Sequence, residues 1–230
     1  MNYRIVLILI AVIFTSGKMH SQWTDYGGWT SATVTKKVAK KTYASANYAM
    51  RWDRDFTRLG TTFLDADISR EIVDDINFTI SLRVGVSKTD EYQWEPQRRF
   101  STNARYKIDL GKKSSISLRA QYQTGHKGAS TPGQGIEFSN AFRSKFTYSY
   151  RHSKKYKFSL SAETFFRPIY SFYALSDYRA RISVRKKLAK RKYLSLGYQV
   201  ETPRGGPDPW VEHAIICNFS LDMKRRKSEK

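Results

Sequence analysis

The sequence predicts an all-β chain, an antiparallel up-and-down transmembrane β-barrel of about 12 strands, with 10 as the smaller solution. Three observations carry that prediction. Long stretches alternate strictly between an apolar and a polar side, as strand side chains do. Their connections are alternately short and long. The first 21 residues have the make-up of an export signal. The clearest stretch runs from Glu137 to Arg167. Phe138, Phe142, Phe146, Tyr148 and Tyr150 share one side of its first arm, and Arg143 and Lys145 point the other way. After a turn at His152-Ser153-Lys154-Lys155, Tyr156, Phe158, Leu160, Ala162 and Phe166 oppose Lys157, Ser159, Ser161 and Glu163.

In chain order, Arg4 precedes the apolar run Ile5 to Phe14, followed by small residues and Ser21-Gln22. A basic start, about 7–15 apolar residues and a small residue at the end describe a secretory signal peptide. The run falls short of the roughly 20 residues a helical membrane anchor needs. Residues 1–21 are therefore expected to be removed, leaving 22–230 as the barrel with a basic tail at 224–230. Cleavage takes away Arg4 and Lys18 and no acid, so the net charge of +21 becomes +19. The one cysteine, Cys217, offers no disulfide, no metal cluster and no lipid anchor at the N-terminus.

Run one spans Trp29 to Val38 and run two sets Ala44, Ala46, Tyr48, Met50 and Trp52 against Ser45, Asn47, Arg51 and Asp53. Run three sets Leu64, Ala66, Ile68 and Ile72 against Asp65, Asp67, Ser69 and Glu71. Run four is the most regular, with Ile76, Phe78, Ile80, Leu82, Val84 and Val86 against Asn77, Thr79, Ser81, Arg83 and Gly85. Run five opposes Phe100, Tyr106 and Ile108 to Arg105, Lys107 and Asp109, and run six opposes Ile116, Leu118 and Tyr122 to Arg119 and Gln121. Runs seven and eight are the two arms described first. Run nine sets Tyr178, Ile182 and Val184 against Arg179, Arg181 and Arg185. Run ten sets Leu194, Leu196 and Tyr198 against Gln199 and Glu201, and run eleven sets Ile215, Cys217 and Phe219 against Glu212, Ala214 and Asn218. Helical periodicity is missing from residues 22–230.

Short connections at 39–41, 73–75, 111–113, 153–154 and 189–191 alternate with longer ones at 55–60, 89–95, 125–135, 168–176 and 202–209. Outer-membrane barrels sort their connections this way, with the short turns periplasmic. Eleven runs are visible, but single-chain bacterial barrels have even counts. A short extra strand at 23–28 would complete 12.

Periodicity alone does not say which side faces out. A lipid-facing Arg at the bilayer midplane costs about 2–4 kcal/mol, so the basic side belongs inside. The aromatics gather near both strand ends, as interfacial girdles do. Trp52, Phe100, Tyr122, Phe166, Tyr178 and Tyr198 lie towards the long connections, and Tyr148, Tyr150 and Tyr156 towards the short turns. The soluble alternative, a secreted β-barrel or sandwich acting as a binding protein, would turn the apolar side inward.

The signal ending in Ser21-Gln22, then Trp23, Trp29-Thr30-Ser31, Lys36-Lys37 and the hairpin through Arg51-Trp52, resembles the opening of the family called domain of unknown function 2490. The resemblance implies a Bacteroidetes outer-membrane β-barrel. It implies no activity and supplies no site residues.

The side predicted to line the lumen carries Arg51, Arg83, Arg99, Arg105, Lys107, Arg119, Arg143, Lys145, Arg151, Arg179, Arg181 and Arg185. Its acids are Asp53, Asp65, Asp67, Glu71, Asp109, Glu163, Glu201 and Glu212. Such a set either packs a narrow bore as an ion-pair network or walls a pore that favours anions. Lys36, Lys37, Lys40, Lys41, Lys112, Lys113, Lys154, Lys155, Lys186, Lys187, Lys190, Arg191 and Lys192 gather at the short turns. They cap the strand ends and suit anionic lipid headgroups or a periplasmic polymer. This placement explains much of the 41 Lys+Arg against 20 Asp+Glu without nucleic acid, for which no binding motif is present.

Some small outer-membrane barrels modify lipids, and such an enzyme needs a nucleophile beside a base. His213 stands on the apolar side near a long connection, but Ser195 and Ser220 do not share its position. The sequence thus predicts an exported barrel that is structural or passes small solutes, with anions as one option, and with no catalytic residues, cofactor or metal. A lipid hydrolase or acyltransferase is the competing function.

Overall fold

The computed structural model describes residues 23–89, 93–127, 137–169, 172–203 and 210–223. Residues 1–21, expected to be a signal peptide, the tail 224–230 and most of the 125–135 connection lie outside the described residues. Each of the eleven runs forms a strand: β1 (Trp23–Ala39), β2 (Thr42–Asp53), β3 (Arg58–Val73), β4 (Ile76–Lys88), β5 (Trp94–Asp109) and β6 (Ser114–Lys127), followed by β7 (Glu137–Arg151), β8 (Tyr156–Ile169), β9 (Phe172–Ala189), β10 (Lys192–Pro203) and β11 (Trp210–Asp222). The shortest has 12 residues and the longest 18, well beyond the five or six usual in globular sheets.

Every strand bonds to its sequence neighbours, and β1 meets β11 to close the barrel. The expectation of 12 strands is corrected to eleven among the described residues. Residues 23–28, expected as an extra strand, form the first part of β1. With an odd count, the last strand runs in the same direction as the first. The seam is therefore parallel, in register from Trp23↔Trp210 to Thr35↔Asp222. All the other interfaces are antiparallel. β1 consequently starts at the end of the long connections, and β11 finishes at the end of the short turns.

Two of the expected long connections are also corrected, because their residues zip into strands. The one after β2 is only 54–57, and the one between β8 and β9 only 170–171. At the first, Arg54, Asp55 and Phe56 all have positive φ, of 50°, 54° and 64°. The Asp55 N–H donates to the Asp25 carboxylate at 3.0 Å, and the Phe56 N–H to the Tyr26 carbonyl at 3.1 Å. The turn is thereby strapped to the start of β1. At the opposite end, three tight turns share one build, a left-handed second residue (Lys41, Asp75 or Arg191) beside a one-residue register shift. That combination is the hairpin with a bulge that follows a right-handed turn.

The barrel is inside out relative to a soluble one. On β4, Ile80 and Leu82 are 46% and 53% exposed, whereas Arg83 is 9%. Among the described residues, the buried apolar side chains are only Ala49, Phe63, Ala141, Phe165, Ala214 and Ile216. The buried polar ones include Arg143, Glu163, Asp177, Gln121 and Gln199. A wide outer band of Ile, Leu, Val, Phe and Tyr is left without protein cover.

Candidate functional site: a basic bore with an aromatic layer

Because side chains alternate across each strand, one residue in two from every strand points at the barrel axis. There they surround a cavity of about 780 Å³. Ten cationic side chains line it (Arg51, Arg83, Arg99, Arg105, Arg119, Arg143, Lys145, Arg167, Arg179, Arg181) against four acids (Asp65, Asp67, Glu163, Glu201), an excess of six positive charges. A second cavity of about 480 Å³ lies towards the short turns and includes Glu71, Asp75 and Lys107. The two share Asp67, Thr79 and Arg105, so they meet at that level of the bore.

The acids are spent on particular arginines. Asp65 and Arg83 are cross-strand partners and form a two-pronged pair, Nε to Oδ1 at 2.6 Å and Nη2 to Oδ2 at 2.7 Å. Glu163, only 3% exposed, is a hub. Its Oε1 accepts from Arg119 at 2.6 Å and from Arg143 at 2.7 Å, and Arg179 lies 3.5 Å from Oε2. Arg179 is also paired with Glu201 at 2.6 Å. Arg143 donates to the Gln123 side chain at 3.1 Å, and Arg181 donates through Nε to Gln199 at 3.1 Å. Such charge-assisted and forked bonds are the strong ones.

Among the described residues, three aromatic rings line the main cavity, and guanidinium groups stack on them. Trp29 faces Arg51 directly across the β1–β2 ladder, with the guanidinium 4.0 Å from the indole centre. Arg179 and Arg181 approach the same indole at 5.3 and 5.7 Å. Phe63 receives Arg83 at 3.4 Å and Arg51 at 5.1 Å, and Phe165 receives Arg143 at 4.5 Å and Arg179 at 4.7 Å. Gly85 makes room for Phe63, its register partner, since a Cβ there would sit 2.8 Å from the Phe63 Cα. Cation–π contact of this kind is worth roughly 0.5–2 kcal/mol and holds the long side chains against the wall.

Of the basic residues predicted for the lumen, Arg51, Arg83, Arg105, Arg119, Arg143, Lys145, Arg179 and Arg181 line the main cavity. Arg185 does not, and instead stacks on Tyr193 at 3.9 Å. Of the acids, Asp65, Asp67, Glu163 and Glu201 line the main cavity, and Glu71 belongs to the lower one. Asp53 is at the rim of the long-connection end, gripped by Arg58 at 2.8 Å. Sequence reasoning missed Trp29, Phe63 and Phe165. Each has the parity of charged or polar lumen residues, two positions from Ser31, Asp65 and Glu163, and that parity was the available signal.

The girdle residues stand on the outer side. Phe100, Tyr122, Tyr178 and Tyr198 are exposed, Phe166 is half-buried with its ring 6.2 Å from exposed Phe142, and Trp52 is half-buried near Gly28. Tyr148 and Tyr150 are half-buried and Tyr156 is exposed, near the short turns. His213 is sandwiched at the seam between Tyr26 and Tyr198, with centroids at 5.1 and 5.9 Å, and its Nδ1 meets the Tyr198 hydroxyl at 2.5 Å. Its neighbours are phenols rather than a serine and a carboxylate. Most of the short-turn lysines are exposed. Lys41 is held by Asp74 at 2.7 Å and Glu71 at 3.1 Å. These hydrogen bonds raise its pKa above the ordinary lysine value and lower that of Asp74 below the usual carboxylate value.

Among solved structures, the chain is similar in fold to one described as a NanC porin structure in a rhombohedral crystal form. The similarity has a TM-score of 0.52 at 9% identity and covers 86% of this chain and 99% of that one. At that identity the likeness is one of fold. No curated protein matches the sequence. The family model described as "Protein of unknown function (DUF2490)" matches residues 26–211, most of the barrel, and the chain belongs to that family.

Proposed function

We propose that this is an exported outer-membrane β-barrel, without catalysis, whose bore passes small solutes and prefers anions. The observation that carries the reading is the cavity of about 780 Å³ with ten bases and four acids on its wall. Rings of Arg and Lys at close quarters are how pores favour anions. The apolar outer band supports placement in a bilayer, since so large an exposed apolar face would drive aggregation in water. The signal-like residues 1–21 support export, and the porin fold supports a lumen. Barrels of 16–18 strands leave wide channels whereas those of about 8 fill with side chains. Eleven strands suit a narrow, selective bore.

Outer-membrane lipid is the first partner. The exposed lysines of the short turns would add attraction to anionic headgroups or a periplasmic polymer, about 1 kcal/mol for each residue near the surface. Single-channel recording on the refolded protein in planar bilayers under a potassium chloride gradient tests the pore. Discrete steps whose reversal potential lies on the chloride side are expected. Absence of steps, or cation preference, refutes the reading.

A further inference from the structure

The side chains around Trp29 are unevenly neutralised. Three guanidinium groups approach the indole: Arg51, Arg179 and Arg181. Arg179 has two carboxylates, Glu201 and Glu163. Among the described residues, the hydrogen-bond acceptor of Arg181 is the amide oxygen of Gln199, which engages its Nε and Nη2. Arg51 is flanked by the rings of Trp29 and Phe63, and among the described residues no carboxylate lies within 4 Å of it. The nearby acid, Glu212, is engaged by the indole N–H of Trp29 at 3.3 Å. All three of Trp29, Arg51 and Arg181 line the main cavity.

A guanidinium stacked on rings keeps its N–H donors in its own plane, pointing away from the rings. Enclosed charges are ordinarily paired, because desolvating one alone is costly. Arg51 has five such donors, none of them with an acceptor among the described residues, and Arg181 has its Nη1 free of Gln199. From this geometry we infer that Arg51 and Arg181, held beside Trp29, form a discrete binding station in the bore for one small oxyanion, a carboxylate or a phosphate group. The forked edge of a guanidinium matches two oxygens of such a group, whereas chloride offers a single point of charge. The inference deepens the pore reading, since the station lies on the proposed path, but binding there does not require that the bore conduct.

The test is a titration of the full-length protein in detergent with sodium acetate and, separately, sodium phosphate. Ionic strength is held constant with sodium chloride, and the readout is tryptophan fluorescence. A saturable change is expected with at least one oxyanion, and its absence in Trp29→Phe would locate the signal at the station. Arg51→Gln and Arg181→Gln should each weaken binding at least tenfold, and Arg51→Lys less than Arg51→Gln. Retained heat-modifiable gel mobility and the β-sheet circular dichroism signal establish that each variant is folded. If one arginine variant fails to fold, the other carries the test. A linear response to both anions, or equal affinity in wild type and the folded arginine variants, overturns the station. Saturable binding by a protein that gives no channel steps would keep the station and refute the pore. Anion-selective steps with no saturable binding would do the reverse.

Discussion

Replacing Glu163 by Gln removes the charge at the centre of the bore's ion-pair network while keeping the side-chain shape. Arg119 and Arg143 have no other carboxylate within 4 Å among the described residues, whereas Arg179 keeps Glu201 at 2.6 Å. Removing one member of a buried pair costs about 3–5 kcal/mol, because the partner charge is left uncompensated. Glu163 is 3% exposed, which argues for a large effect. The cavity of about 780 Å³ beside it is roomy enough to hydrate the released guanidinium groups, and the remaining amide oxygen still accepts one bond. Those two terms place the loss at the low end, about 3 kcal/mol. Urea unfolding of the protein in detergent micelles or vesicles, followed by tryptophan fluorescence and by gel mobility, measures it. The double variant with Arg143→Gln should lose less than the sum of the single changes, with a coupling of about 1 kcal/mol or more. An unfolding midpoint unchanged in Glu163→Gln, or strict additivity with Arg143→Gln, would refute the claim that this carboxylate holds the bore together.

Three further outcomes follow from the same geometry. Ile80→Arg, on the outer side at the middle of β4, should destabilise the barrel in vesicles by about 2–4 kcal/mol, whereas Ser81→Arg, one residue on and facing the bore, should cost far less; vesicle unfolding compares them. Arg191→Gly relieves a left-handed residue at φ 67° and should stabilise by about 1 kcal/mol, read as a higher urea midpoint. The Asp74 carboxyl, kept below its ordinary pKa by Lys41, should titrate at lower pH than in Lys41→Ala. The contribution of this contact is thus present at neutral pH and lost as pH falls through that lowered value, which carbon-13 resonances of labelled aspartate can follow.

Much of the fold was legible because strand periodicity is two and the two sides differ in kind. Ile76 to Val86 against Asn77 to Gly85 needs no partner strand to be read, and the structure sorts those residues to the two sides as the alternation requires. The strand count was misjudged for a physical reason. Eleven runs were visible, but a parallel seam between the first and last strands is a long-range pairing that no local pattern announces. The connections at 55–60 and 168–176 were overestimated because Gly60 and Pro168 read as loop residues, yet both lie within strands. In the bore, parity identified which charges face inward but not which ones meet. The three arginines on Glu163 come from β6, β7 and β9, and their convergence depends on register and on the reach of each side chain. Phe165 stands next to Phe166 with a register shift between them, so only its parity with Glu163, and not its residue type, marks it as the inward one.

The most direct test of the central claim is photolabelling of the protein in vesicles with a probe confined to the acyl chains, read residue by residue by mass spectrometry. Adducts on Ile80, Phe146 and Ile182, with Arg83, Arg143 and Arg181 untouched, are the predicted result. Labels on the arginines, or protein that stays in solution and takes up none, would contradict it.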